Sequence, residues 1–220
     1  MARGGSTAGS TPQPALSPGA RALLAALDAH GALHLNTTPR FPNVTDIGGS
    51  WSNVMELLEA KLCFLSRLVL GKTTYLSLHL YEACAALAPS ASRALDAQTV
   101  ADPLAPDLYR LLEDAGPLAT DELALMLAVE PRRVRQALSR LQQGLYVTVF
   151  GPQRHLNPNW DTYGWCTRAQ WEAACPLLIN PLDPLDPPGR PQARERLASA
   201  LGPYLSERQV NRTIALLERR

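Results

Sequence analysis

The chain has 220 residues, 46% of them apolar, and its 21 basic and 20 acidic side chains leave a formal charge of +1. This length suits one large domain or two small ones with a sizeable core. Near-neutrality excludes a globally basic nucleic-acid wrapper and an acidic tail protein, so any electrostatic function is regional.

Met1 to Pro14 is rich in Gly, Ser, Thr and Pro and has no apolar core of a secretory signal. Residues 1–17 are therefore expected as a flexible tail. Pro18 to Ala29 reads as an amphipathic helix with Leu23, Leu24 and Leu27 on one face, ended by Gly31. Leu33 to Leu35 suggests a brief strand, and the polar stretch from Thr37 to Ser50, with Pro39, Pro42, Gly48 and Gly49, a loop. Ser52 is placed to cap a long helix, Asn53 to Leu70, stopped by Gly71. Thr73 to Leu76 is β-like and reads as an edge or wing strand; Ser77 caps a helix from Leu78 to Leu87. Ala88 to Pro106 is a connection.

Pro106 to Ala115 is the next helix, with Leu108, Leu111 and Leu112 inward and Gly116-Pro117 after it. Thr120-Asp121-Glu122 opens another, its acids at the positive end of the helix. A short turn leads to Pro131, which suits the first position of a third helix ending near Gln143, with Val134, Ala137, Leu138 and Leu141 buried. Leu145 to Phe150 is strongly β, Gly151 to Asn159 a polar loop, and Thr162 to Cys166 a returning strand. This order predicts a winged helix-turn-helix over residues 91–176. Trp160, Trp165 and Trp171 are expected to pack the hairpin and the short helix Arg168 to Cys175. Residues 177–191 are a Pro-rich linker. Residues 192–220 form a helical pair, docked through Leu197, Leu201, Leu205, Val210, Ile214 and Leu217.

Charge is unevenly distributed. Residues 95–130 hold eight acids and one base, whereas residues 131–160 hold five arginines and no acid. The change falls where the third helix begins. At 100° per residue Arg132, Gln136, Ser139 and Gln143 lie opposite the buried stripe, flanked by Arg133, Arg140 and Arg135. Arg and Gln make bidentate contacts to guanine and adenine edges. Gln153, Arg154, His155 and Asn157 in the wing are placed for phosphate or the minor groove. DNA is the expected partner, and a homodimer is compatible with that reading.

Other chemistry finds little purchase. Cys63, Cys84, Cys166 and Cys175 are scattered, read as reduced thiols, and offer no zinc spacing. Gly71-Lys72-Thr73 lacks the upstream glycine of a phosphate loop, since Ser66 stands there. No nucleophile or metal-hydrolase arrangement is present, and no cofactor is expected. No apolar run approaches the roughly 18–20 residues of a membrane span. A cytoplasmic, nucleoid-associated location is therefore expected.

Four phrases together carry a resemblance. They are Glu59-Ala60-Lys61; Leu70-Gly71-Lys72-Thr73-Thr74-Tyr75-Leu76-Ser77; Gly116-Pro117-Leu118-Ala119-Thr120-Asp121-Glu122-Leu123; and Ala137-Leu138-Ser139-Arg140-Leu141-Gln142-Gln143-Gly144-Leu145-Tyr146-Val147. Over residues 33–176 they resemble bacterial winged-helix proteins related to the crosslink-repair DNA glycosylases of the AlkZ/YcaQ type. The resemblance implies tandem winged-helix units, the first a degenerate one within residues 18–90, and a DNA-damage setting. The Gln-x-Gln or Gln-x-Asp motif of the active enzymes is missing, and the 37–50 loop offers only Asp46 as a carboxylate. The expectation is thus a mainly α, non-enzymatic winged-helix DNA-binding protein in DNA-damage response or regulation. A reduced glycosylase and a winged-helix protein-docking module are the alternatives.

Overall fold

The computed structural model describes residues 16–88, 100–157, 160–175 and 189–218; for residues 154–157, 160 and 161 only the backbone is described. The fold is mostly helical with small antiparallel sheets. Residues 1–15 of the expected tail and most of the expected connections, at 89–99 and 176–188, lie outside the described residues; Leu16 and Ser17, expected in the tail, are instead packed on the first half and bonded to Glu56 respectively.

Helix α1 spans Pro18–His30. The Ser17 hydroxyl caps it by accepting from the Ala20 amide, and Pro18 presets the first turn. Gly31 ends it at φ 76°, where a side chain would be strained and would also press on Ala200. Strand β1 is Ala32–His34, and helix α2 is Trp51–Glu59. Ser17 donates its amide and hydroxyl to the two Glu56 carboxylate oxygens, both at 2.8 Å, so the start of α1 is tied to α2.

The long helix expected over Asn53 to Leu70 is not formed. Ser50, rather than Ser52, caps α2, in a reciprocal box with Asn53. Lys61 takes a left-handed conformation at φ 57° and turns the chain out of the helix. Phe64–Ser66 becomes strand β2, followed by strand β3, Thr74–Leu76, and helix α3, Leu78–Leu87. The sheet order is β1-β3-β2, so Thr74–Leu76 is the central strand and not an edge. Register pairs Leu76 with Ala32 and Phe64, and Tyr75 with Leu33 and Leu65. Ala32, Phe64 and Leu76 enter one core; Leu33, Leu65 and Tyr75 enter another. With both faces covered, the strands show no polar alternation, which is why β2 is hard to tell from buried helix by pattern alone.

The second half follows the expected order closely. Helix α4 is Ala105–Ala115, α5 is Thr120–Met126 and α6 is Pro131–Gln143. Strands β4, Val147–Asn157, and β5, Trp160–Thr167, form a hairpin whose pairing runs further than expected, to Asn157 opposite Trp160. Leu118, between α4 and α5, exchanges two backbone hydrogen bonds with Trp165 of β5. Each half therefore repeats one plan. A segment after the first helix pairs with the second strand of a later hairpin, and a capped helix follows at once. Ser77 caps α3, and Thr167 caps α7, Arg168–Ala174.

The C-terminal pair is α8, Arg190–Leu201, and α9, Glu207–Leu217; α8 begins earlier than expected, with Pro191 in its first turn. Arg190 and Arg194 both reach Glu218, linking the two helices. One apolar cluster is drawn almost wholly from the first half and one from residues 100–147, and a third joins them. The third draws Phe64 and Tyr81 from the first half, Leu145 and Trp171 from the second, and Leu197, Leu201 and Leu217 from the C-terminal pair. Among the described residues no helix is long and apolar enough to cross a membrane.

Candidate nucleic-acid interface

Helix α6 owes its position to a buried stripe. Val134, Ala137, Leu138 and Leu141 pack with Leu108 and Leu112 of α4 and with Leu123 and Ala124 of α5. The α5–α6 turn is short because Ala128 adopts φ 52° and the Val129 amide returns to the Ala124 carbonyl. Arg132, Arg133, Arg135, Gln136 and Arg140 are left exposed on the opposite side, as the helical period predicts.

These side chains are not equivalent. Arg133 donates to the Gln136 side-chain oxygen at 2.8 Å and lies 3.7 Å from the buried Asp102 carboxylate. That pairing anchors Arg133 and Gln136 to the start of the domain. No ion pair joins Arg132, Arg135 or Arg140 to an acid among the described residues. Ser139 and Gln143 are half-buried, and the Ser139 hydroxyl accepts from Arg67 of the first half at 3.3 Å. The candidate face is therefore open at the N-terminal part of α6 and bordered by the first half at the C-terminal part.

In the hairpin, exposed Gln153 donates to Glu122 at 3.0 Å, and Glu122 also accepts from the Ala119 amide at 2.7 Å. Gln153 thus braces β4 against the start of α5. The side chains of Arg154, His155 and Asn157 lie outside the described residues. Trp171 is fully buried, whereas Trp165 is half-buried and donates its ring nitrogen to Thr120 at 3.0 Å. Trp160 belongs to the undescribed side chains.

Other candidate chemistry is built into the fold instead. All four cysteines are buried and outside any disulfide; burial pushes the Cys63 and Cys84 thiols far up and that of Cys166 to about 12. Among the described residues no group of three His, Cys, Asp or Glu side chains is arranged for a metal. Lys72 of Gly71-Lys72-Thr73 sits on the loop between β2 and β3, where the expected helix end does not exist. Asp46, for which the sequence suggests no amide partner, has one. Asn43 donates its side-chain amide to the Asp46 carboxylate at 2.6 Å and accepts from the Asp46 backbone at 3.0 Å. The reciprocal pair closes the turn from Asn43 to Asp46. Compared with protein-family models, with characterised proteins and with solved structures, the chain matches none.

Proposed function

We propose that residues 105–167 are a winged helix-turn-helix that binds DNA without catalysis, and that residues 18–76 are a degenerate second unit of the same plan. The observation that carries this reading is α6 itself. It is acid-free, follows a short turn, and exposes Arg132, Arg135 and Arg140 with no counter-ion among the described residues. A helix presented this way fits a major groove about 12 Å wide, with its arginines aimed at guanine edges and phosphates. The repeated strand pairing of β1 with β3 and of Leu118 with β5 supports the tandem arrangement. The resemblance to winged-helix relatives of crosslink-repair glycosylases favours a DNA-damage or regulatory setting. Asp46 is spent on a turn with Asn43, which favours binding over base excision.

A protein-docking reading has one observation in its favour. Leu125 and Met126, at the end of α5, are 82% and 56% exposed beside the acidic start of that helix. Salt dependence separates the two. On duplex DNA, replacing Arg132, Arg135 and Arg140 by Ala should weaken binding and reduce the log–log salt slope by about 0.9 for each phosphate the variant no longer neutralises. Unchanged affinity and slope, with loss of binding to a protein partner on Leu125→Ser, would transfer the function to the docking surface.

A further inference from the structure

The β2–β3 loop, residues 67–73, is held against the last turn of α6. The Arg67 amide reaches the Gln142 carbonyl at 3.5 Å, its guanidinium donates to Ser139 and to the Gly71 carbonyl, and a side chain at Gly71 would sit 3.8 Å from the Gln143 amide. Leu68 and Val69 anchor the loop in the core. Leu70 does the opposite. It is 41% exposed at φ 53°, a conformation that a simple chain reversal gives to glycine or asparagine. Exposed Lys72 follows two residues later. From Ala60 to Tyr81 the sequence holds Lys61, Arg67 and Lys72 and no acid. Two acid-free segments, one from each half, therefore lie side by side.

We propose that the β2–β3 loop of the first half is part of the same duplex-DNA surface as α6, with Lys72 on the phosphate strand bordering the groove that α6 enters and Leu70 against the sugars or base edges. This rests on the DNA-binding reading of α6. An apolar side chain flanked by cations suits the backbone margin of a groove, where phosphate alternates with hydrocarbon. It also explains why the C-terminal part of α6 is bordered and not free: the loop continues the surface that the helix begins.

The test is a salt titration of binding by the whole chain to a short duplex. Lys72→Ala should lower the log–log slope by about 0.9. Leu70→Ser should weaken binding roughly tenfold with the slope unchanged, because it removes apolar area and no charge. Lys72→Gln, which keeps the stem, should repeat the slope change, and all three variants should melt like the parent chain. If these variants bind as the parent does while the Arg132, Arg135 and Arg140 variant loses binding, the loop lies off the interface and the α6 reading stands. If no variant changes binding, or the parent chain binds no duplex, both fail. If the loop variants lose binding and the α6 variant does not, the shared surface is overturned.

Discussion

His34 carries the clearest single-residue consequence. It is buried on β1, stacked on Phe41 with ring centroids 4.1 Å apart, and hydrogen-bonded through Nδ1 to the Thr38 hydroxyl at 2.9 Å. Burial first, and the nearby Lys72 ammonium second, hold its pKa down to about 4. The unfolded chain takes up this proton near 6.5, so the unfolded state binds more protons between these values. The contribution of neutral His34 is complete above that range and is lost as pH falls through it. The loss should total about 3 kcal/mol near pH 4. Urea midpoints measured from pH 7 to pH 4 should fall further for the parent chain than for His34→Gln; parallel curves would reject the assignment. The sequence offers no hint of this role, because the groups that bury His34 come from later loops. Lys61 is similar: its ammonium donates to the carbonyls of Glu59 and Phe150, the latter 89 positions away.

At the scale of elements, the helices of the second half were legible because each carries its own boundaries. Pro131 starts α6, Gly116 follows α4, and one apolar stripe marks each buried face. The β2 strand was not. Leu62, Cys63, Phe64 and Leu65 are all buried, so no period distinguishes strand from helix. Only pairing with β3 and the turn at Lys61 decide it. The short helix α7 and a packing role for Trp171 are legible in the sequence, but the partners of Trp171 in the first half are not. Trp171 is wholly buried against Phe64 of β2 and Tyr81 of α3, and the Tyr81 hydroxyl donates to Glu172 at 2.5 Å. Trp171→Ala should cost about 3–5 kcal/mol in denaturant unfolding. A loss under about 1 kcal/mol would mean that α7 is not the clasp between the halves.

Across the whole molecule, one of the apolar clusters is shared by segments that composition alone would divide. Prolines separate α7 from α8 in the sequence, yet Leu197 and Leu201 of α8 share a cluster with Tyr81, Cys84 and Trp171. His30 at the end of α1 also meets the Tyr204 hydroxyl at 2.7 Å. Leu197→Ala should therefore destabilise the entire chain by about 2–5 kcal/mol, with far-ultraviolet and near-ultraviolet transitions remaining coincident. An early, separate transition for the C-terminal helices would show that they fold as an independent unit.

The sequence by itself determined the helix order of the second half, the hairpin after α6 and the acid-free character of α6. Those are local properties: caps, periodicity and residue charge act within a few positions. Tertiary structure decided which arginines stay open. Asp102 claims Arg133, Glu122 claims Gln153, and Arg67 reaches across to Ser139. It also decided that β3 is central and that the β2–β3 loop borders α6. Such pairings depend on distances between residues remote in the chain, set by how the two halves pack, and no local pattern encodes them.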